Sequence, residues 1–377
     1  MKLKTPFTAL LFVFFSITSF GQYLHENLKI MRLKDYSYEN IESPEKYDIS
    51  YTYKNLRLFP IVANKEFKTQ HENIGNFLLL KDAIQQKKII IKETGADTPQ
   101  SNNAQINSEN QTQNEPILEQ RQENQTNSQR QIQTQNISQN QISGGIGGTV
   151  NKLIAKNTSS DTIFIMAGEV VKGGKQDRVI AKDIVLSPGQ EVDLSAFCVE
   201  KNRWSTKENN KGQFTGYYNV SSMDIRKVVT EDANQSKVWS TVDEHTKSNK
   251  ASSSTSTYTN LENSKEYQDK IKGYMKKFEN AFEGNENIIG FIAVSGSEII
   301  GCDLFATNKL FADSYKNIIH SYVGHAITKG ASVNIKNEEV FAYLDKILKD
   351  ESKQEEEIEK NGTLYKWKSK KLHITTY

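Results

Sequence analysis

The sequence predicts an α+β fold, with an antiparallel β-meander core, flanking helices and low-complexity loops that interrupt the domain. Apolar runs of strand length are mixed with amphipathic runs of helix length along the chain. The densest group of strands, at 161–200, is joined by short turns rich in Gly and Pro. Because strands and helices do not alternate regularly, the pattern favours α+β over a doubly wound parallel sheet.

The N-terminus, "MKLKTPFTALLFVFFSITSFGQ", has two lysines before an apolar run of about 10 residues, followed by small residues. This layout is typical of a cleavable secretory signal at 1–21, and we expect cleavage after Gly21; an uncleaved anchor is the alternative. No later stretch reaches the roughly 18 apolar residues that a membrane span needs. We therefore expect an exported protein, periplasmic or secreted, with no stable span after cleavage.

The domain that follows the N-terminal segment 22–54 is expected to cover 55–329. It begins with a strand at 55–63, a short helix at 76–88 and a strand at 89–93. The Gln/Asn-rich insert at 97–149 has too little apolar surface to fold and is expected to be disordered, with self-association through amide ladders as the alternative.

The second half of the chain continues with a Ser/Thr-rich loop at 248–264, expected on the surface. A helix at 266–282, two strands within 288–305 and a helix at 309–328 complete the predicted domain. A separate C-terminal part, 330–377, contains a charged helix at 338–360 and a terminal hairpin.

Composition excludes several classes of function. The 48 Lys and Arg residues and the 46 Asp and Glu residues give a net charge of only +2, so no basic field indicates a nucleic-acid partner. The two cysteines, Cys198 and Cys302, lie in apolar strand-like contexts, which favours separate buried thiols over a disulfide. His320 and His325 are separated by about 140° on a helix, which argues against a shared metal. No cofactor fingerprint is present, and we predict neither a metal nor a cofactor.

The charge of the meander is concentrated in "GEVVKGGKQDRVIAKD", residues 168–183. The first and third strands of a meander run in the same direction, so the end of the third strand lies near the first turn. The predicted third strand alternates apolar residues on one face, and Glu200 continues that alternation. The segment from Glu200 to Trp204 is therefore expected at the same edge as the charged turn.

Two interpretations of this edge remain open. The first is a polar pocket in which carboxylates act as catalytic acids or bases and neighbouring groups bind a ligand. The candidate catalytic residues are Glu169, Asp177 and Glu200, and the candidate ligand-binding residues are Lys175, Gln176, Arg178, Arg203 and Trp204. Trp204 would stack on a ring of the ligand, or cap the sheet edge instead. The second interpretation is a structural ion pair that ties two turns together.

The motifs "GEVVKGGKQDRVIAKDIVLSPGQ", "FCVEKNRW" and "GFIAVSGSEIIGCDLFATNKLF" resemble the ARG and rhodanese-phosphatase-superfamily-associated protein domain family. The resemblance covers about 55–329. It implies a role near NAD-derived or ADP-ribose chemistry. Its charged signature falls on Gly168, Glu169, Gly173, Gly174, Lys175, Gln176, Asp177, Arg178, Cys198, Glu200, Arg203 and Trp204.

These observations lead to two hypotheses of function. The first is an exported domain that binds, or binds and hydrolyses, a small anionic or nucleotide-derived ligand such as an ADP-ribose-like compound. The second is a non-catalytic envelope module for structure or interaction, in which the charged cluster is an ion-pair lock. The residues do not decide whether the protein is an enzyme.

Overall fold

The structure is a computed structural model that describes residues 27–31, 51–94, 152–203, 205, 212–348 and 351–377. The predicted signal at 1–21, the Gln/Asn-rich insert at 97–149 and Trp204 lie outside these residues. No helix in the described ranges has the length and apolar character needed to cross a membrane.

Strands and helices occur in both halves of the described chain, which confirms the α+β class. The strands are β1 Leu28–Ile30, β2 Thr52–Tyr53, β3 Leu56–Ala63, β4 Leu78–Leu79, β5 Ile89–Glu93, β6 Lys152–Asn157, β7 Ile163–Ile165, β8 Glu169–Gly173, β9 Arg178–Ile180, β10 Ile184–Leu186, β11 Glu191–Cys198, β12 Phe214–Val220, β13 Ile288–Ser295, β14 Glu298–Phe305, β15 Gly362–Trp367 and β16 Lys370–Thr376. The α-helices are α1 Lys65–His71, α2 Leu80–Gln85, α3 Met223–Lys227, α4 Gln235–Ser248, α5 Lys265–Phe278, α6 Asn308–Thr328, α7 Asn337–Leu348 and α8 Glu351–Asn361. A π-helical turn at Val228–Asp232 and a 3-10 helix at Tyr258–Asn263 complete the set.

The chain divides into two compact units. One consists of Met1–Gly75, Asn280–Asp313 and Gly330–Tyr377, and the other of Asn76–Glu279 and Ser314–Lys329. The predicted boundary between a domain at 55–329 and a C-terminal part stays a prediction. The charged signature lies wholly within the second unit.

The first unit contains a sheet with the strand order β1-β3-β13-β14-β16-β15, and β2 pairs with β3. The neighbouring strands of this sheet are antiparallel. Its apolar face packs against α7 through Val340, Leu344 and Ile347. The expected helix at 338–360 coincides with α7 and α8, and residues 349 and 350 between them lie outside the described residues.

The second unit contains a sheet with the order β12-β8-β9-β11-β6-β5. Strands β8, β9 and β11 are antiparallel neighbours, as expected for the meander. The first two predicted strands are each interrupted, however, and β7 and β10 pair with each other in a separate small sheet with β4. Gly168 explains the break in the first predicted strand, between β7 and β8. Its φ of +91° leaves the extended region, and its N–H donates to Ile180 O at 2.9 Å.

The six-stranded sheet curls until its edge strands approach each other. Lys92 and Gln213 form an isolated bridge, and Glu93 N–H donates to Gly212 O at 3.0 Å. Alternate residues of the sheet therefore face two cores. Val171, for example, belongs to the inner core, which α2 helps to fill. Its neighbour Val170 belongs to the outer core, which lies between the sheet and the helices outside it.

Three further predictions can be compared with the structure. The predicted helix at 76–88 forms only as α2, after the short strand β4. The Ser/Thr-rich segment 248–264 is not purely a surface loop, because Tyr258 and Leu261 are buried in the outer core. Cys198 and Cys302 are both buried free thiols, as the sequence predicted, and each lies in a different unit.

Candidate functional site

The charged turn at 174–177 connects β8 to β9 and requires glycine at its first position. Gly174 has a φ of +48°, and a Cβ atom there would lie 2.6 Å from the ring of Phe214. A residue with a side chain would therefore meet both backbone strain and a steric clash. The double glycine of the signature serves the geometry of this turn.

Arg203 organises the polar groups around the turn. Its Nε donates to Glu200 Oε2 at 2.9 Å, and its two terminal nitrogens donate to Asp177 Oδ1 and to backbone oxygens. Those backbone acceptors are the carbonyls of Gly173, Gly174 and Ser205. Contacts with described residues thus account for all five N–H donors of the guanidinium.

Asp177 is buried and accepts hydrogen bonds from four sides. Gly173 N–H and Arg203 reach Oδ1, and the hydroxyls of Thr257 and Thr259 donate to Oδ2 at 3.3 and 2.9 Å. The two threonines come from the Ser/Thr-rich segment, so the signature turn is bonded to a loop that lies far along the chain. This satisfies the buried carboxylate and anchors the loop.

Glu200 completes the network at the end of β11. Its Oε2 lies 2.6 Å from a terminal nitrogen of Arg203 and accepts the N–H of Asp177 at 3.1 Å. Burial by itself raises the pKa of this carboxyl, but the hydrogen bonds from Arg203 and from Asp177 N–H outweigh it and hold the pKa below its ordinary value. Glu200 is therefore an ionised partner of Arg203. We call Asp177, Glu200 and Arg203 the tip network.

Gln176 and Arg178 are also buried, but they form a separate set of contacts. Arg178 Nη1 donates to the Gln176 carbonyl and side-chain oxygens, and its Nη2 lies 3.6 Å from Glu93 Oε1. Arg178 pairs in register with Cys198 on β11. Burial raises the pKa of the Cys198 thiol, which makes it a poor nucleophile despite the nearby cation.

Two candidate ligand-binding residues contribute little defined geometry. The side chain of Lys175 is exposed, and its backbone N–H donates to Glu93 Oε1 at 2.8 Å. Trp204 is outside the described residues, so its predicted stacking role stays a prediction.

Glu169 lies at the opposite end of β8 from the turn. Four residue steps along the strand separate it from Gly173, a distance of about 13 Å. Its Oε2 accepts the N–H of Met166 at 2.7 Å, and its Oε1 lies 3.1 Å from the Tyr217 hydroxyl. The structure therefore brings Asp177, Glu200 and Arg203 together and leaves Glu169 apart from them.

Burial raises the pKa of the Glu169 carboxyl to about 8. The hydrogen bonds from Met166 and Tyr217 and the positive charge of Arg226 oppose that shift without cancelling it, and the negative charge of Asp183 adds to it. At neutral pH this carboxyl is thus protonated. Next to it, the side chain of Arg226 packs on Gly168, where a Cβ atom would lie 2.5 Å from Arg226 Cγ.

A further polar cluster, which the sequence did not indicate, centres on Asp224. Its Oδ2 lies 3.0 Å from His245 Nε2 and 3.1 Å from His325 Nδ1, and its Oδ1 lies 3.4 Å from Lys329. Burial raises the pKa of Asp224, but the hydrogen bonds from the two histidines more than offset this and hold it well below its ordinary value. No local motif in the sequence links His325 to partners so distant along the chain.

The charged side chains of the Asp224 cluster and of the tip network bond to one another, and those of the tip network bond to the backbone as well. No group of three or more His, Cys, Asp or Glu residues in the described part of the chain has the arrangement needed to hold a metal ion.

Comparison with known proteins identifies the family. The family model for the ARG and Rhodanese-Phosphatase-superfamily-associated Protein domain matches residues 45–376, a range that includes residues of both compact units. No curated protein and no solved structure is similar enough to be matched. Because the match covers nearly the whole chain, this protein belongs to the ARG and rhodanese-phosphatase-superfamily-associated protein domain family.

Proposed function

We propose that this protein is an exported, non-catalytic member of its family, and that its charged signature is a structural lock. The observation that carries this proposal is the complete use of the Arg203 guanidinium by Glu200, Asp177 and three backbone carbonyls. A ligand anion would have to displace these bonds in order to reach Arg203. That exchange is unfavourable, since it would leave buried carboxylates without their cation.

The acids of the tip network are also poorly suited to catalysis. Asp177 and Glu200 are only 2% and 3% exposed, respectively. A general acid or base must come within hydrogen-bond reach of the substrate proton that it transfers. These carboxylates instead use their hydrogen-bonding capacity on the turn, the loop and Arg203, which supports a structural role.

The lock also orders the segment through which we propose that the protein contacts a partner. Thr257 and Thr259 fasten the Ser/Thr-rich segment to the signature turn, and Glu200 forms an isolated bridge with Thr257. A partner that contacts this segment would meet a loop that is already ordered, so less conformational entropy would be lost on binding. Export is supported by the N-terminal sequence pattern alone.

A thermal-shift screen with ADP-ribose, NAD and sugar phosphates tests the non-catalytic role. We expect no shift with any of these ligands, together with a large fall in the melting temperature of Arg203→Ala. The matched control is Lys175→Ala, which removes an exposed charge from the same turn and should melt as the wild type does. A ligand-induced shift that Arg203→Ala or Glu200→Gln abolishes would contradict the proposal.

Export has its own test. The full chain is expressed in a Gram-negative host, and the accumulated protein is located by fractionation and sequenced from its N-terminus. We expect a mature chain beginning at Gln22 outside the cytoplasm. Full-length protein confined to the cytoplasm would refute export without bearing on the lock.

A second candidate function, binding of a small ligand, is favoured by one observation away from the tip network. Glu169 is a buried carboxyl with a pKa of about 8 that lines a cavity, a combination common at binding sites. Since a carboxyl group faces the cavity, this site favours a neutral polar group over the anion expected from the sequence. Binding there would require no change in the tip network.

A further inference from the structure

The cavity beside Glu169 lies within the second compact unit. It is lined by three apolar and three polar residues. These residues are Leu79, Phe164, Met166, Glu169, Ser314 and Asn317. Ser314 and Asn317 come from the part of α6 that belongs to this unit.

The Glu169 and Tyr217 side chains carry two O–H donors, one more than the hydrogen bond between them uses. With a pKa of about 8, Glu169 is neutral at pH 7, so it and Tyr217 each have an O–H group. Burial also raises the pKa of Tyr217 well above its ordinary value, which keeps the phenol protonated. Tyr217 donates its O–H in their 3.1 Å contact, so the O–H of Glu169 is not used there. The Glu169 O–H therefore needs another acceptor.

Ser314 is a second observation that points to a ligand in this cavity, and it does not depend on the protonation of Glu169. Its side chain lines the cavity and is only 2% exposed, yet its Oγ has no hydrogen-bond partner among the described residues. A buried hydroxyl without a partner costs about 1–3 kcal/mol. Among the described residues, the Asn317 side chain has a long hydrogen bond from Lys81, whose Nζ lies 3.5 Å from its Oδ1. The cavity wall thus carries polar atoms with unused hydrogen-bonding capacity.

The size of the cavity limits what it can hold. Its volume of about 10 Å³ is close to the minimum for one water molecule, which also needs two to four polar partners. A ribose, a phosphate or an aromatic ring is too large. A hydroxyl group is both an acceptor and a donor, so it can satisfy the surplus O–H and Ser314 Oγ together.

We propose that this cavity is a binding site for one neutral hydroxyl group, held between Glu169 and Ser314. The hydroxyl belongs either to a water molecule or to the end of a short alcohol that enters the site. The inference rests on the second candidate function, small-ligand binding, and is independent of the tip network.

Crystal structures at pH 6 test the site. We expect one peak of density within hydrogen-bond distance of both the Glu169 carboxyl and Ser314 Oγ in the wild type. Ser314→Val fills the space with methyl groups and removes the hydroxyl, so the peak should disappear. Ser321→Ala is the matched control, since it truncates another buried serine of α6 that does not line the cavity, and it should leave the peak in place.

Soaking crystals in ethanediol distinguishes the two sources of the hydroxyl. Density that extends to a second carbon identifies an alcohol site, and an unchanged single peak identifies a water site. In solution, the water site predicts a nuclear Overhauser effect between a bound water and the Met166 amide.

Two results would overturn the inference. One is a wild-type cavity without density at pH 6, with Ser314 Oγ bonded directly to Glu169 or Asn317. The other is a peak that survives in Ser314→Val. Either would leave the lock standing, because Arg203 and its partners are not involved.

Discussion

The environments at the two ends of strand β8 shift the pKa of a glutamate carboxyl in opposite directions. Glu169 at one end and Glu200, which joins the network at the other, are each 3% exposed. Yet the pKa of Glu169 is raised to about 8, whereas that of Glu200 is held below its ordinary value. Glu200 bonds to the cation of Arg203, and Glu169 bonds to a backbone N–H and a phenol.

The two carboxyls differ in the groups that compensate their charge. Both carboxyls lose solvent, and this loss raises the pKa of each. Only the one with a bonded guanidinium remains ionised. A single family signature therefore contains a structural ion network at one end and a neutral acid at the other, and a charged motif alone does not indicate which acids are reactive.

The largest expected effect comes from removing the cation of the tip network. Arg203→Ala would leave Asp177 and Glu200 buried without a counter-charge, and breaking a buried ion pair in this way costs about 3–5 kcal/mol. The free energy of unfolding, measured by urea denaturation, should fall by that amount. For Lys175→Ala the change should stay within about 0.5 kcal/mol. Equal effects of the two substitutions would mean that the tip network is not a lock.

The second prediction concerns the pH dependence of stability. The carboxyl of Glu169 has an ordinary pKa of 4.5 and a folded pKa of about 8, so between these values the unfolded chain binds fewer protons. Its contribution to the free energy of unfolding therefore falls by about 1.4 kcal/mol per pH unit as pH rises through that window. Glu169→Gln should remove this slope.

Glu200→Gln provides the contrasting variant. Because the folded pKa of Glu200 is lowered, its contribution is present above its unfolded pKa of about 4.5 and is lost as pH falls through the folded value. The difference between this variant and the wild type should thus shrink in acid. If both variants changed the profile in the same direction, the comparison between the two ends would fail.

A smaller effect is expected at the break between β7 and β8. Gly168→Ala would place a Cβ atom against Arg226 at a φ of +91°, and strain of this kind costs about 1–3 kcal/mol. Thermal unfolding measures the loss. Gly189→Ala is the control, since φ there is also positive, at +74°, but no atom lies within 4 Å of the added Cβ. A loss no larger than the control's would show that the packing of Arg226 adds nothing.

The smallest expected effect is that of Tyr217→Phe. Removing the hydroxyl deletes one hydrogen bond to Glu169 and should cost about 1 kcal/mol. Because this bond lowers the pKa of Glu169, the variant should titrate at a higher pH than the wild type. A titration that moves to lower pH would contradict the assignment of Tyr217 as a donor to this carboxyl.

The sequence alone predicted the position of Glu200, one of the two carboxyls in this comparison. Alternation along β11 and the direction of strands in a meander predicted that Glu200 and Arg203 lie beside the charged turn, and Asp177 N–H does bond to Glu200. The position of Glu169 was not predictable in the same way. A continuous apolar run hides the break at Gly168, so Glu169 begins a strand instead of lying near the turn.

The long-range partners could not be inferred from the sequence at all. Thr257 and Thr259 reach Asp177 from a segment whose composition is that of a surface loop. Asp224, His245 and His325 meet from three separate helices. Such contacts depend on tertiary packing, which leaves no local period or motif in the sequence.

The most direct test of the central claim is a carboxyl titration by 13C NMR of glutamate-labelled protein, with Glu169→Gln and Glu200→Gln used to assign the two signals. We predict that the Glu169 signal is that of a protonated acid at pH 7 and titrates near pH 8, and that the Glu200 signal is that of a carboxylate until the pH falls below 4.5. An ionised Glu169 at pH 7 would contradict the claim that burial without a bonded cation sets this end of the strand apart.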